Sequence, residues 1–198
     1  MSVCDSITKN ILVDCTNPSF GGTETTLYLF NRTDIAAFIE DDTNPLLVTG
    51  ITMKATKKGF KYEGAKTSLR PNSELVPKDF SDRFRHGADF LVFGNSATIK
   101  QELEKLVLGT VVAVVENKQK NTDATFEILG KDLGLKVTSL VRAAGENEGA
   151  YSIRIQSAEG FEEPHLPASF GVYDVTVPET PVYDYDATVT ALTALITV

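Results

Sequence analysis

The chain has 198 residues, enough for one sizeable core with arms, and its 42% hydrophobic and 23% charged residues are those of a folding sequence. A formal net charge of −8 gives it an outer field that repels nucleic-acid phosphates, which argues against direct DNA or RNA binding. No stretch approaches the roughly 20 apolar residues that span a bilayer, since the most apolar run, 106–115, is broken by Gly109 and Thr110.

Residues 1–23 are expected to form an N-terminal arm. They hold Asp5, Lys9 and Asn10 and no apolar signal core, so no export is expected, and they end in the turn-rich Asn17, Pro18, Gly21 and Gly22. Cys4 and Cys15 are the only cysteines, too few for a disulfide framework or a thiolate zinc site, and are expected as reduced thiols in a cytosolic setting. One β-rich domain is expected over 24–178. Its first strands fall after Glu24, where Leu27, Tyr28, Leu29 and Phe30 cluster, and over 46–54, behind the break at Asp41, Asp42, Asn44 and Pro45. Phe60 and Tyr62 alternate with Lys61 between Gly59 and Gly64, as in a short hairpin with one face covered. Residues 67–82, with Pro71 and Pro77, read as an edge strand or a long loop.

Regular structure resumes at 88–93, where Phe90 to Phe93 are apolar on both faces of a strand. A helix is predicted over Ala97–Leu108. Ser96 is its N-cap; Ile99, Leu103, Leu106 and Val107 mark one buried face, and Gly109 is a left-handed stop. Three strand patterns follow, at 110–116, 125–129 and 135–140, with Gly130 to Gly134 as a tight link. A fourth, 150–156, alternates Tyr151, Ile153 and Ile155 with polar residues, so the order predicts an antiparallel meander. Val175 and Val177 suggest a further strand, and Pro178 and Pro181 an extended connection. Residues 179–198 form a C-terminal arm, uncharged after Asp186 and β-prone, and such a tail is expected to dock on its own sheet or on another subunit.

Chemical motifs are scarce. His86 and His165 lack the spacing of a metal site, no GxSxG elbow frames a serine, and the glycine pairs 130/134 and 145/149 flank turns instead of opening a phosphate-binding helix. The acidic groups at 41–42, 162–163 and 184–186 have no EF-hand register and read as solvated faces. No catalytic, cofactor-binding or metal-ligating residue is assigned, and an enzyme is not expected. A β-sandwich module binding glycans or cell-surface ligands would need aromatic platforms; Trp is absent, which leaves Tyr173, Tyr183 and Tyr185 as candidates. The cationic islands are Lys57, Lys58 and Lys61 near Phe60 and Tyr62, and Arg83 and Arg85 around Phe84. In an acidic chain such islands suit contact with acidic patches on a neighbouring copy.

Residues 90–157 resemble the tail tube proteins of long-tailed bacteriophages, in the form carried by phages of Bacteroides-type gut bacteria. The resemblance lies in the order of AspPheLeuValPhe, the helix IleLysGlnGluLeuGluLysLeu, the strand ThrValValAlaValValGluAsn, then PheGluIleLeuGlyLysAspLeuGlyLeuLysValThrSerLeu and GlyAlaTyrSerIleArgIleGlnSer. It implies a mainly β fold, a β-barrel or sandwich flanked by one α-helix, and hexameric rings stacked into a tube. It also implies a bridging hairpin and loop, for which 52–75 is the candidate. The partners expected are copies of the chain and other virion proteins, with DNA passing an acidic lumen unbound. The location expected is a virion tail made in the bacterial cytoplasm, and no cofactor is implied. The N-terminal third and the uncharged tail do not fit the pattern, so a tail terminator, connector ring or capsid decoration protein stands as the alternative.

Overall fold

The structure, a computed structural model, describes residues 21–64, 68–120, 122–143, 145, 147–174 and 182–196. The expected N-terminal arm up to residue 20, with Cys4 and Cys15, lies outside them, as do Val175, Val177, Pro178 and Pro181. In chain order the strands are β1 (Thr23–Asn31), β2 (Ile35–Glu40), β3 (Leu47–Met53), β4 (Phe60–Glu63), β5 (Arg70–Val76) and β6 (Arg83–Val92). After helix α1 (Ala97–Leu108) come β7 (Val111–Asn117), β8 (Phe126–Leu129), β9 (Lys136–Arg142), β10 (Tyr151–Gln156), β11 (Ala168–Phe170), β12 (Val172–Asp174) and β13 (Val182–Asp184). The last element is helix α2 (Tyr185–Ala194).

The fold is mainly β, as expected, in the form of an open sandwich with no closed barrel. One sheet has seven strands in the order β2-β3-β11-β8-β7-β1-β4, antiparallel except between β3 and β11. The other has four, in the order β5-β6-β10-β9, all antiparallel. A first core lies between the sheets, where Leu27, Leu29, Val111, Ala113 and Val115 meet Ala88, Phe90, Ile153 and Ile155. The opposite face of the larger sheet carries a second core. There Tyr28, Phe30, Val112, Val114, Phe126, Ile128 and Phe170 are covered by Leu192 and Ile196.

β7 belongs to both cores, because alternate side chains of a strand point to opposite faces and each face has a cover. Its residues Val111 to Glu116 are all buried. This is the two-faced strand of the fold. In β6, by contrast, Phe90 is buried, Leu91 and Val92 are half-buried and Phe93 is exposed, so the expected two-sided burial of 90–93 is not found.

The predicted meander is also redistributed. β7 pairs with β8 in the larger sheet, whereas β9 and β10 belong to the smaller one. The crossing occurs over 130–135, where Gly130 and Gly134 take φ of +73° and +82°, a left-handed backbone that glycine adopts at little cost. Reciprocal bonds from Val111 N–H to Leu135 O (2.9 Å) and from Leu135 N–H to Val111 O (2.7 Å) hold the returning chain to β7.

α1 has the predicted span and cap, with Ser96 Oγ accepting from Ile99 N–H at 3.2 Å. Leu103 and Leu106 enter the first core and Ile99 packs at its margin, but Val107 is 44% exposed. Gly109 stops the helix with φ −85°, an extended conformation rather than the expected left-handed one. β2 falls in a stretch the sequence leaves unassigned, and β11 and β12 likewise.

The largest departure is the C-terminal segment. Expected as a β-prone arm, it is helix α2 and forms a third layer on the larger sheet, so of the two docking alternatives it takes its own sheet. Asp184 caps it by accepting from Ala187 N–H at 2.9 Å. Thr188 and Thr193 donate to Asp184 O (2.6 Å) and Val189 O (2.8 Å), so their hydroxyls are satisfied within the helix. Thr188, Leu192 and Ile196 recur every four residues and face the sheet.

Leu103, only 3% exposed, is the strongest apolar link between α1 and the sheets. Leu103→Ala is expected to lower the unfolding free energy by about 2–5 kcal/mol in urea titration. A loss below about 0.5 kcal/mol would show that this face of α1 carries no core contact.

Candidate assembly surface

Residues 52–75 do not form a hairpin. β4 pairs with β1 at one edge of the larger sheet, and β5 pairs with β6 at one edge of the smaller, so the two strands lie in different sheets. Of the two alternatives for 67–82, the edge strand is the one found; it carries Pro71, which suits an edge because it cannot donate to a ladder.

Four of the five cations singled out in the sequence are engaged within their own chain. Lys57 lies 3.5 Å from Asp34, and Lys61 lies 2.5 Å from Glu63. Lys58 Nζ donates to Ala194 O at 2.5 Å and Gly59 N–H donates to Leu195 O at 2.8 Å, satisfying the last carbonyls of α2 and placing a cation at its negative end. Tyr62 packs on the first core, its ring centroid 6.2 Å from that of Phe90 in an edge-to-face arrangement. Phe60, two residues earlier on the same face of the strand, is largely exposed. Arg85 reaches Glu74 at 2.7 Å and lies 3.6 Å from Glu162, bracing β5 against β6. Arg83 stands apart from these pairs and lines a surface depression of about 590 Å³ with Lys78, Phe80, Leu133 and Pro164.

Beneath that depression lies a buried polar cluster. The Glu163 carboxylate accepts from the N–H groups of Asp132 (2.9 Å), Leu133 (2.8 Å) and Gly134 (3.1 Å), while its backbone pairs with Phe84. One side chain thus fixes the crossing loop against the start of β6. Burial pushes its pKa up, against the pull of those three donors. Burial also acts upward on the neighbouring Glu162, but the N–H groups of Glu162 and Gly160 and the Lys78 charge outweigh it and hold its pKa down.

His86 completes the cluster. Gly130 N–H donates to its Nδ1 at 3.2 Å, so the proton sits on Nε2, which donates to His165 O at 2.9 Å. Both ring nitrogens are used and the ring is buried, which depresses its pKa to about 4 although the His165 carbonyl and Asp132 act in the opposite sense. Among the described residues no group of three or more His, Cys, Asp or Glu converges as a metal site, and no helix is long and apolar enough to cross a membrane.

The tyrosines considered as glycan platforms are half-buried and engaged with the fold. Tyr185 stacks on Phe126 at 6.1 Å and donates to the buried Glu116 at 2.7 Å, and Tyr183 packs against the second core with its edge toward Tyr173.

What the surface does present is apolar, and sequence reasoning missed it. Phe80 is 96% exposed at the tip of the β5–β6 connection. Leu108, 88% exposed, and Val107 border a groove of about 540 Å³ between α1 and β9, floored by Leu103, Leu140 and Tyr151. Leu108 was inside the predicted helix but off its apolar face, and Phe80 was an isolated aromatic among polar residues; only their joint exposure marks them. No family model, no curated protein and no solved structure matches the chain.

The histidine sets a pH dependence. Its folded pKa lies below the ordinary 6.5, so the unfolded chain binds the extra proton first and stability falls as pH drops from about 6.5 to about 4. The contribution, on the order of 3 kcal/mol, is complete above pH 6.5. Denaturant titrations of wild type and His86→Gln should therefore show a stability gap that narrows across this window. A gap independent of pH would mean that His86 titrates alike in folded and unfolded chains.

Proposed function

We propose that the chain is a self-assembling structural subunit of a virion, most specifically a tail tube subunit of a long-tailed bacteriophage. The observation that carries the assembly reading is the apolar surface that one copy leaves in water, Phe80 at one place and the groove edged by Val107 and Leu108 at another. The groove is contiguous apolar surface of the kind that marks contact sites between proteins, whereas Phe80 is a single exposed ring. The narrower tail tube reading is supported by the resemblance of 90–157 and by a sandwich carrying the expected helix over 97–108.

In this role the fold supplies a stiff wall and the function lies in contacts between copies. The net charge of −8 suits a conduit, because an acidic lining repels phosphates and lets DNA slide without holding it. The bridging role moves away from 52–75, since β4 and most of β5 are committed to the two sheets.

Electron microscopy of the purified full chain over a rising concentration series tests the reading. Rings, stacks or tubes are expected. A chain that stays monomeric at high concentration, by microscopy and by sedimentation, would remove the assembly reading altogether, and closed oligomers that never stack would favour a connector or terminator over a tube.

A further inference from the structure

The outer face of the smaller sheet belongs to neither core. Side chains directly opposite each other on paired strands share a face, so the register fixes what that face carries. In β6, His86, Ala88 and Phe90 are buried and point inward, which leaves Arg85, Gly87 and Asp89 pointing outward. Asp89 is paired with Arg70 on β5 and with Arg154 on β10. Arg85 is paired with Glu74 on β5, and the bridge between Phe84 and Glu163 sets Glu162 on its other side. One row across the sheet therefore reads cation, acid, cation, and a second row, four residues along the strands, reads acid, cation, acid. Between them runs a row of Asn72, Gly87 and Gln156, uncharged until Lys136 at the β9 edge.

Such a face is its own complement. If two copies meet face to face about a two-fold axis along the uncharged row, each strand lies over the same strand of the partner and the two charged rows exchange places. Arg70 then faces the partner's Glu74, Asp89 faces the partner's Arg85, and symmetry makes each contact twice. The charged rows lie about 7 Å from the axis, so the roughly 30° between packed sheets displaces them by only about 4 Å, within reach of arginine and glutamate side chains. Arg85 and Asp89 keep their own partners, Glu74 at 2.7 Å and Arg154 at 2.6 Å, and remain part-exposed, while Arg70 makes no ion pair among the described residues. Arg154 comes over Glu162, which is buried and already held by Lys78 and Arg85, so no contact is assigned there. Arg83, one row further out, faces Leu91. Only Lys136 meets its own counterpart, because it lies on the axis.

We infer that two copies of the chain pair through the outer faces of their smaller sheets, about a two-fold axis along Asn72, Gly87 and Gln156. A contact of this symmetry closes at two copies, so it is separate from the apolar contact of the proposed assembly and does not depend on it. Exposed ion pairs contribute little singly; the charges select this arrangement over others, and a face on the order of 20 Å by 30 Å makes a weak pair.

Sedimentation velocity of the full chain over a concentration series, with circular dichroism to confirm folding, tests the pair. A monomer–dimer equilibrium is expected, weakened by about 1 M salt. Arg70→Glu and Glu74→Arg each set like charges across the axis at both sites, and each should raise the dimer dissociation constant by at least about tenfold. An equimolar mixture of the two should pair, and a chain carrying both changes should pair with itself, because opposite charges face each other again. Lys136→Gln removes the like-charge approach on the axis and should tighten the pair. If the single variants associate as wild type does, or neither the mixture nor the double variant recovers, the arrangement is wrong and the assembly reading stands. A wild type that pairs in this way and never grows beyond two keeps the inference and removes the tube, and one that stays monomeric at every concentration overturns both.

Discussion

The residues of β7 from Val111 to Glu116 have no face open to water, and the rest of the chain is arranged to supply two covers for that one strand. On one side the cover is the four-stranded sheet with α1. On the other it is α2, a helix of ten residues whose Leu192, with Ile196 just beyond its end, lies over Phe30, Val112, Val114 and Phe126. The position of β7 near the middle of the larger sheet, with β1 and β8 on its flanks, follows from the same need, since an edge position would leave one ladder of its backbone groups unpaired. Lys58 and Gly59 then have an evident purpose, because they satisfy the far end of α2 and keep the second cover in place.

The second constraint is the crossing between sheets. A chain that leaves β8 for β9 must turn sharply between layers, and its backbone N–H groups there cannot use a ladder. Glu163 accepts three of them and His86 accepts a fourth, so the loop is tied to the first residues of β6 by side chains instead of strands. A buried carboxylate without its donors is expensive, which makes the cluster a condition of this topology more than an ornament of it. It also places a rigid floor under the surface that carries Phe80 and Arg83.

Elements with a single strong local pattern were legible in the sequence. Ser96, the spacing of Leu103 and Leu106, and the alternation of Ile153 and Ile155 each report their own element. What was not legible depends on partners distant in the chain. Nothing local separates the run at β7, which is covered twice, from the run at 90–93, which is covered once. The tail at 185–194 carries three threonines and Val189, which argues for a strand, but Asp184 caps it and the hydroxyls of Thr188 and Thr193 bond back along the chain as a helix requires. The cationic islands are legible in the sequence, but their partners Asp34, Glu74, Glu162 and the carbonyl of Ala194 are distant in the chain and are not.

That pairing of charges shifts attention from cations to apolar groups as the source of association. Exposed ion pairs contribute little, and a lysine already bound to its own chain must break that contact before it meets a neighbour. Phe80 and Leu108 have no such prior engagement, and removing their surface from water is favourable at any ionic strength. Under the proposed assembly, an acidic chain would repel its own copies at long range and join them only where a small apolar contact is correctly aligned, which is the behaviour a regular polymer needs.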